Sequence, residues 1–476
     1  MPSLTSVLSL PRRAPRRTGL GAALADRHRY ERQIDALYQR HMFDGGLKSI
    51  AQGDVSLATA AMRRGEIARL LASTVGSGEY VFHPATLRDI RVSGKRRRVF
   101  TYPLLDLIVH GVVGELLTDA MEPTLSDQLY SYRTGVSWST AVFAFAAYVR
   151  QHRRARSDPR DRGLYVLRRD VESYTDSIPV GPGSPVWAMA RGLIDAAFPG
   201  EPVTAADWAV IEEVIRPMVA GTVGAVGADG VDGAAQRLDA GVPTGQPISV
   251  VLFNLYLRDL DDEFGGIPGA FYARYSDDLI FAHPDAAVVR DASERLDERL
   301  TNLGLAFNAE KRRDLYLTGA GRASTEWPEA HGTTNVPFLG TLVSMDGTVA
   351  LGRRKVRALF REVRHRVHNA GRSLADADLD HRGRALAGLV NRMLRWKQDE
   401  LQQASATLLA SAITDRRQLR ALDLDLARIV AETATGHQGP RAFRLAPYRT
   451  IRAEWGLASL VRARDRSRDK ARRWTD

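Results

Sequence analysis

The chain has 476 residues, with 67 Lys and Arg against 56 Asp and Glu, a net charge of +11, and 44% hydrophobic residues. This length predicts two or three domains with a core large enough to need no covalent cross-links. The sequence contains no cysteine, which excludes disulfides, thiolate zinc sites and a cysteine nucleophile. The positive excess favours a polyanionic partner, either nucleic acid or an anionic membrane surface.

The apolar runs are all shorter than the roughly 20 residues that a membrane-spanning helix needs. In the N-terminal segment MPSLTSVLSLPRRAPRRTGLG the arginines follow the apolar run, which is the wrong order for a secretory signal. We therefore expect no membrane partner, a cytoplasmic location, and a flexible basic arm over residues 1–20.

The first predicted elements are helices over residues 27–40 and 57–71 and a short strand over 79–82. Residues 89–103 predict a hairpin that turns at Ser93-Gly94. This hairpin carries five cations: Arg91, Lys95, Arg96, Arg97 and Arg98. Such cations suit a triphosphate, and they equally suit the protection of an exposed edge strand. Apolar helices over 104–117 and 141–149 and a basic loop over 151–162 follow.

Residues 164–167 predict a buried strand, and Asp170 lies just beyond its apolar part. A lone Asp at a strand end is more often a helix cap or a turn residue, so Asp170 alone does not indicate a functional site. Two helices are expected between 183 and 220, followed by a Gly-rich loop over 221–233. That loop lacks the lysine of a phosphate-binding loop. Residues 241–262 begin as a turn and continue as an amphipathic helix.

Residues 271–283, FYARYSDDLIFAH, predict a β-hairpin with Asp277 and Asp278 at its tip. Alone, this tip is most simply an acidic, solvated turn. Together with Asp170 it supplies three carboxylates, which is the set needed to hold two divalent cations. Such cations activate a 3′-hydroxyl and stabilise a pyrophosphate leaving group. Hard oxygen ligands favour magnesium.

Downstream, the sequence predicts a helix over 285–303, a strand with Lys311 near its end, and a hairpin over 336–351 that turns at Asp346-Gly347. Residues 353–366 predict an amphipathic helix with one basic face. Its cations suit a sugar-phosphate backbone, or form an ordinary solvated face. They include Arg353, Arg354, Lys355, Arg357, Arg361, Arg364 and Arg366. The rest of the chain is expected to be mainly helical, with a basic tail over 462–473.

In this order, the segments resemble the motifs of single-subunit prokaryotic reverse transcriptases. The resemblance covers residues 90–370. It rests on RVFTYP at 98–103, SYRTG at 131–135, DVESYTDSI at 170–178, GVPTG at 241–245 with Ser249 and Asn254, YSDD at 275–278, 303–311 and FLG at 338–340. A YxDD box alone is a weak signal, whereas the whole series in family order is specific.

The resemblance implies a role for each matched position. Asp170, Asp277 and Asp278 would bind two Mg²⁺ ions, or Mn²⁺ in their place, with the Val171 carbonyl as a further ligand. Lys311 would be catalytic, lying near the pyrophosphate as a proton donor. Lys95, Arg96, Arg98, Val171, Tyr174, Thr175, Thr244 and Gly245 would bind the incoming nucleotide. Arg133 and the cations of the 353–364 helix would bind nucleic acid.

The implied fold is α+β, a right-hand polymerase in which a palm of antiparallel sheet and helices joins fingers and a helical thumb. After the arm at 1–20, we expect N-terminal helices and fingers over 21–162 and a palm over 163–351. The palm would contain a helical insertion with the Gly-rich loop at 183–240. Thumb helices would occupy 352–400 and a helical extension 401–476.

The implied activity is RNA-directed DNA synthesis from dNTPs, with an RNA template and a DNA product. Two positions depart from the family pattern. Thr244 replaces the Gln of the usual PQG, and Thr175 stands where an aromatic ring excludes the ribose 2′-hydroxyl. Selection against ribonucleotides is therefore expected to be weak, or to be moved to Tyr174.

The subgroup follows partly by exclusion, because the retron signatures VTG and NAxxH are absent and Val250 follows Ser249 where diversity-generating elements have SQ. The defence-associated and abortive-infection group remains. Its members copy a dedicated non-coding RNA, or synthesise DNA without a template from a protein side chain. Tyr448 and Ser467 are candidate primers here. A homo-oligomer, a catalytically silent nucleic-acid-binding scaffold and an RNA-dependent RNA polymerase stay open as alternatives.

Overall fold

The structure is a computed structural model. It describes residues 19–42, 46–92, 95–155, 163–200, 202–223, 235–395 and 413–465. Several predicted features lie wholly or partly outside these ranges: the N-terminal arm, the Ser93-Gly94 turn, most of the basic loop and the Gly-rich loop, and the end of the basic tail with Ser467. The side chains of Lys95 and Arg96 also lie outside the description.

The first part of the chain is mainly helical. Its helices and strands are α1 (Gly19–Leu24), α2 (Arg27–His41), α3 (Gly46–Ser49), β1 (Ala51–Gln52), β2 (Val55–Ser56), α4 (Leu57–Met62), α5 (Arg64–Ser77), β3 (Ala85–Val92), β4 (Lys95–Thr101), α6 (Leu104–Met121) and α7 (Trp138–Arg154). The helix predicted over 57–71 is thus two helices that meet at Arg63. The strand predicted over 79–82 is wrong. Tyr80 and Phe82 contact each other edge to face at 5.0 Å, and the Tyr80 hydroxyl donates to Asp106.

The middle of the chain alternates strands and helices. Its elements are β5 (Leu164–Asp170), α8 (Tyr174–Ser177), α9 (Pro185–Ala197), α10 (Ala205–Ile215), β6 (Met218–Val223), β7 (Gln236–Arg237), α11 (Pro247–Leu255), α12 (Arg258–Gly265), β8 (Phe271–Tyr275), β9 (Asp278–His283), α13 (Ala286–Asn302), β10 (Arg313–Leu317), β11 (His331–Thr333), β12 (Asn335–Phe338), β13 (Thr341–Ser344) and β14 (Val349–Leu351). Lys311 lies in a 3₁₀ turn, Ala309–Lys311, and precedes β10. The prediction that it ends a strand is wrong.

A five-stranded sheet in the order β11-β10-β5-β9-β8 forms the centre of the molecule. Its strands β5, β9 and β8 are antiparallel neighbours and are buried over most of their length. Because side chains alternate between faces, Tyr165 and Leu167 face the core formed with the N-terminal helices and α13, and Val166 and Ile280 face α7 and β12–β14. Strands β5, β8 and β9 are thus held between two packed layers.

The predicted cationic hairpin is present as β3 and β4, which pair antiparallel from Thr86 with Thr101 to Val92 with Lys95. It belongs to a second sheet, in the order β4-β3-β6-β7. Strand β6 pairs with β3 in parallel. The two helices expected in the insertion at 183–240 are present as α9 and α10, but its last part was not expected to form strands and completes the sheet of the hairpin.

The C-terminal part is helical, as predicted. It contains α14 (Arg353–Ser373), α15 (Leu379–Arg395), α16 (Arg416–Thr435), α17 (Pro440–Leu445) and α18 (Tyr448–Ala453). These helices share one apolar core, which includes Phe360, Val390, Leu426 and Trp455. The helices on either side of residue 400 therefore pack as one body. None of the helices in the described ranges combines the length and apolarity needed to cross a membrane.

Candidate active site

The strand register brings the predicted carboxylates to one edge of the central sheet. Asp170 is the last residue of β5 and lies directly opposite Asp278, the first residue of β9. Directly opposed residues of antiparallel strands point to the same face, so these two carboxylates share one face. Asp277 lies in the two-residue turn between β8 and β9. The structure thus brings together the three Asp residues that the sequence predicted.

The turn that carries Asp277 is fixed by contacts on three sides. The Val171 amide donates to the Asp277 carbonyl at 3.0 Å, and the Ser276 amide donates to the Ser131 hydroxyl at 2.9 Å. Arg274 Nη1 donates to the Ser276 carbonyl at 3.2 Å. Ser276 has a φ of 59°, a conformation that is uncommon for a residue with a side chain and that these contacts maintain.

Two buried polar pairs stand behind this turn. Arg274 and Asp261 are both fully buried, and the Arg274 guanidinium also donates to the Phe253 and Asn254 carbonyls. Ser131 donates to the Asn254 side chain at 3.0 Å, and Asn254 donates back to the Ser131 carbonyl. Through these contacts, the segment before α7 and the helices α11 and α12 position the acidic turn.

Cationic side chains contact two of the three carboxylates. Lys311 forms an ion pair with Asp170. Its backbone is fixed by the Asn308 cap, and the Asn308 amide donates to the Asp170 carbonyl at 2.8 Å. Arg168 Nη2 donates to both oxygens of Asp278, at 2.7 and 2.8 Å. Lys311 therefore lies at the acidic cluster, where its role as a proton donor to pyrophosphate stays a prediction.

The environment of Asp277 and Asp278 favours the neutral forms of these two carboxylates. Burial, with a further contribution from Asp170, raises the pKa of Asp277 to about 6. Burial also raises the pKa of Asp278, and the Arg168 guanidinium opposes this effect. Two neighbouring carboxylates that are costly to ionise are suited to bind added positive charge.

The carboxylates of Asp170, Asp277 and Asp278 are oxygen ligands of the kind that divalent cations prefer, and the strand register places their backbones close together. Within the described ranges, however, the side chains of His, Asp and Glu form no group of three already gathered around one point. The oxygens of Asp170 and Asp278 are instead directed at Lys311 and Arg168. Mg²⁺ or Mn²⁺ would be held by Asp170, Asp277 and Asp278 once these side chains turn away from their cationic partners.

The glycine-containing turn at 241–245 lies beside the segment that follows Asp170. The Gly241 amide donates to the Ile178 carbonyl at 2.9 Å, and the Val242 amide donates to the Thr175 carbonyl at 3.0 Å. Gly245 has a φ of 92°, which a residue with a side chain rarely adopts. Thr244 donates through its hydroxyl to the Arg98 carbonyl and so connects the turn to the cationic hairpin.

The candidate nucleotide residues are divided by their exposure. Arg98 is exposed and Thr175 is partly exposed. Tyr174 is buried, and its hydroxyl donates to the Phe253 carbonyl at 2.8 Å. The idea that Tyr174 contacts the sugar is therefore wrong, because the ring points into the core and not toward a ligand.

The predicted nucleic-acid residues also separate into two groups. Arg133 donates to the Ser126 carbonyl at 2.7 Å and to Glu122, and Lys355 donates to the Leu339 carbonyl at 2.9 Å. Lys355 also lies 4.7 Å from the Trp138 ring centroid. These two side chains hold the fold together, which contradicts their assignment to nucleic acid. The five arginines that remain exposed are Arg353, Arg354, Arg357, Arg361 and Arg364.

Sequence reasoning missed Arg168, Arg274 and Asp261. A signal for Arg168 was available, since it lies two residues before Asp170 and side chains two apart in a strand share a face. Arg274 interrupts an otherwise apolar strand, which indicates a buried charge that needs a partner. Nothing in the sequence identifies Asp261, rather than the adjacent Asp262, as that partner.

The comparisons with known proteins agree with this site. Residues 206–343 match the profile of the family described as reverse transcriptase (RNA-dependent DNA polymerase). Over this range the chain is similar to reverse transcriptases, which are nucleotidyltransferases. The matched range includes Thr244, Asp277, Asp278 and Lys311 but begins after Asp170. The predicted α+β fold is confirmed, because a central sheet carries the candidate site and a helical part follows β14. Which helices form the thumb stays a prediction.

Solved structures with a similar fold share little sequence with the chain. One is telomerase from Candida albicans in complex with a TWJ fragment of telomeric RNA, with 11% identity, a TM-score of 0.43, and coverage of 83% of this chain and 65% of that one. Another is apo telomerase from Candida tropicalis truncated from its C-terminal domain, with 12% identity, a TM-score of 0.41, and coverage of 57% and 56%. An RNA polymerase complex inside a dsRNA virus has 12% identity, a TM-score of 0.40, and coverage of 70% and 29%.

These likenesses concern the fold alone, and at such TM-scores they carry no argument about function. The chain spans less than two thirds of the length of each of these structures. Among curated proteins, none matches.

Proposed function

We propose that the protein is an RNA-directed DNA polymerase that joins dNTPs to a 3′-hydroxyl at the Asp170, Asp277 and Asp278 site. The observation that carries the proposal is the register of β5 and β9, which sets Asp170 directly opposite Asp278 with Asp277 in the adjoining turn. Placing three carboxylates at one edge of a buried sheet costs free energy that bound divalent cations would offset. The reverse transcriptase profile over 206–343 supports the same reaction.

Bound divalent cations would supply activation of the 3′-hydroxyl and neutralisation of the leaving pyrophosphate. The chain's own groups divide the remaining tasks. Asp170, Asp277 and Asp278 would provide hard oxygen ligands, and Arg98, which is exposed, would pair with phosphate oxygens. The Thr175 and Gly241–Gly245 backbones line the space beside the cluster, where a nascent base pair would lie close to the glycines.

The helix α14 is the proposed contact with the nucleic-acid backbone. Arg353, Arg357, Arg361 and Arg364 follow one another at intervals of three and four residues and therefore form one exposed stripe. Within the described ranges, no ion pair joins these arginines to an acidic side chain. Their charge is thus available to phosphates, and the primer-template duplex would lie between this stripe and the acidic cluster.

The first test is polymerase activity of the purified full-length protein with Mg²⁺, dNTPs and an RNA template with a DNA primer. Asp277→Asn and Asp278→Asn should abolish the product. Asp262→Asn, which removes an exposed carboxylate on α12, should leave it unchanged. Absence of product from the unmodified protein on every template and without a template would favour the nucleic-acid-binding scaffold.

RNA-dependent RNA synthesis is the second candidate, and the position of Tyr174 favours it. With Tyr174 buried and Thr175 beside the cluster, no aromatic ring from residues 174–175 faces the site to exclude a ribose 2′-hydroxyl. Parallel reactions with dNTPs and with rNTPs decide between the two products. Efficient synthesis from rNTPs alone would replace the primary proposal.

The finer proposal is a bacterial anti-phage role in the cytoplasm, with a dedicated non-coding RNA as template or with template-free synthesis. It is supported by the divergent GVPTG turn and by the helical C-terminal part, in which Tyr448 is exposed. Sequencing the nucleic acid that copurifies, before and after RNase and DNase, identifies the template and product. A protein-linked DNA chain would reveal priming from a side chain, whereas a free 5′ end would contradict it.

A further inference from the structure

Arg168 makes a contact that the proposed reaction does not require. It lies on β5 two residues before Asp170, on the same face of the sheet. Its Nη2 donates to both oxygens of Asp278. A diagonal contact of this kind between neighbouring strands is within reach of a long side chain. One guanidinium nitrogen thus covers both oxygens that Asp278 would offer to a divalent cation.

The contact differs from those of two buried arginines in this part of the sheet, Arg274 and Arg169. Arg274 uses Nε and Nη2 on Asp261 and donates to three carbonyls besides. Arg169 donates to two carbonyls, to Ser293 and to Asp314. Both are fully buried and are bound on several sides, so neither can leave its place without leaving several groups unpaired.

Arg168 is bound on one side only. Asp278 is its one polar side-chain partner within the described ranges, and its Nε is buried without a hydrogen-bond partner there. Arg169 Nε also lacks a partner, but its other nitrogens have four. The Arg168 side chain is 20% exposed, so it has a route to solvent. Moving it away would break one ion pair and would hydrate a buried N–H that now has no partner.

A cation bound by Asp278 must replace this interaction, since it requires at least one of the same two oxygens. Lys311 forms a similar ion pair with Asp170, but the Lys311 side chain is more exposed than that of Arg168, at 46%. The two ion pairs offset the charge of two of the three carboxylates. The Arg168–Asp278 pair is the more enclosed of the two, because its cation is less exposed than Lys311.

We infer that Arg168 is a positioning residue that holds Asp278 as an internal counter-cation and is displaced when a divalent cation binds. The affinity of the site for a divalent cation would then be lowered, because the cation must displace the Arg168 guanidinium from Asp278. This inference rests on the proposed function, since it assumes that Asp278 is a metal ligand. It assigns to Arg168 a role in metal affinity, and none in the chemical step.

The test is Mn²⁺ binding to the full-length protein, measured by electron paramagnetic resonance without nucleotide or nucleic acid. Arg168→Gln should bind Mn²⁺ about tenfold more tightly than the unmodified protein, because a charged hydrogen-bonded competitor has been removed. Arg168→Lys should fall between them, since an ammonium cannot reproduce the guanidinium contact.

Arg313→Gln is the matched control. Arg313 lies directly opposite Arg168 on β10 and is exposed, and its side chain donates to the Glu310 and Arg312 carbonyls. Arg313→Gln removes one positive charge near the site, as Arg168→Gln does, but it leaves the hydrogen bonds of Asp278 in place. Mn²⁺ affinity should therefore change less than twofold. An equal gain in both variants would overturn the inference in favour of general electrostatics.

Unchanged or weaker Mn²⁺ binding by Arg168→Gln would also overturn it, since Arg168 would then support the carboxylate in the metal-bound state. Circular dichroism establishes that each variant is folded, and Arg168→Lys carries the comparison if Arg168→Gln is not. If neither protein binds Mn²⁺ while polymerase activity persists, the inference alone fails. Absence of both binding and activity would defeat the proposed function as well.

Discussion

Arg274 and Asp261 form a fully buried ion pair, with Nε to Oδ1 at 2.7 Å and Nη2 to Oδ2 at 2.5 Å, and the same guanidinium donates to the carbonyl of Ser276 in the acidic turn. The pair connects α12 to the strand that ends at the candidate active site. A buried charge without its partner is strongly destabilising, whereas replacing both charges with apolar groups is often tolerated.

Arg274→Met should therefore lower the free energy of unfolding by about 3–5 kcal/mol, because it leaves Asp261 charged and unpaired. The double variant Arg274→Met/Asp261→Leu should recover most of this loss. Urea unfolding followed by circular dichroism measures both. Arg295→Met, at a partly exposed pair with Glu263, should cost about 1 kcal/mol or less. A double variant as unstable as the single one would contradict this account.

Ser131→Ala should reduce kcat for nucleotide addition about tenfold with little change in KM. The Ser131 hydroxyl accepts from the Ser276 amide and donates to Asn254, so its loss frees the turn that carries Asp277. Steady-state kinetics with a fixed primer-template measures the effect. Ser137→Ala removes a hydroxyl of the capping box of α7, and it should affect stability but not kcat. Equal kcat losses in the two variants would show that Ser131 acts only through stability.

The buried side chain of His110 predicts a pH dependence of stability. Burial lowers its pKa to about 3, and the ring lies 4.1 Å from the ring centroid of Tyr102. Below pH 6.5 the His110 imidazole binds a proton in the unfolded chain but stays neutral in the folded chain. The free energy of unfolding should therefore fall as the pH decreases below that value. Between pH 7 and pH 4.5 this group should remove roughly 2–3 kcal/mol.

The check is urea unfolding of the unmodified protein and of His110→Phe over this pH range. Acidification from pH 7 to pH 4.5 should destabilise His110→Phe by roughly 2–3 kcal/mol less than it destabilises the unmodified protein. Parallel pH profiles for the two proteins would contradict the assignment.

Thr175→Phe should increase the preference for dNTPs over rNTPs, because it places a ring where the 2′-hydroxyl of a ribonucleotide would lie. Tyr174→Phe should leave the preference unchanged, since it removes only the buried hydroxyl that donates to Phe253. Competition between dATP and ATP during primer extension measures the ratio. Strong dNTP selectivity that survives Thr175→Gly would place the selecting residue elsewhere.

Arg357→Gln/Arg361→Gln should weaken binding of a primer-template duplex and reduce the slope of log Kd against log salt concentration by about 2. Each exposed arginine that neutralises a phosphate accounts for about one such increment. Fluorescence anisotropy at several salt concentrations measures the slope. Lys355→Met is the control, because Lys355 faces Trp138 and Leu339 and should not alter the salt dependence. An unchanged slope in the double variant would remove α14 from the interface.

The acidic hairpin could be predicted from the sequence because its signals are local. Alternating apolar residues define β8 and β9, and a polar pair between them defines the turn. The same holds for the helices α13 and α14, whose apolar residues recur at helical spacing. The predictions that failed lacked such a local signal. Strand β6 pairs with β3, more than a hundred residues earlier, and no local pattern specifies that partner.

The side-chain assignments show the same limit. Exposure of Arg98, Arg357 and Arg361 agrees with roles that composition alone indicated. Lys355 lies in the same basic helix as Arg357 and Arg361, but it binds a carbonyl and a ring instead, and Arg133 of the SYRTG segment also binds a carbonyl. Whether a cation faces solvent or the core depends on which surface packs against it, and the sequence does not record that surface.

The sequence by itself determined the types of element, the three candidate carboxylates and the kind of chemistry they would support, because residue type and spacing act over a few positions. Only the tertiary structure decided that Asp170 lies opposite Asp278, that Tyr174 is buried, and that Arg168 and Lys311 pair with two of the three carboxylates. These facts depend on strand register and on contacts between distant segments. A register shift of one residue would turn each side chain to the other face, so the site exists only in this pairing.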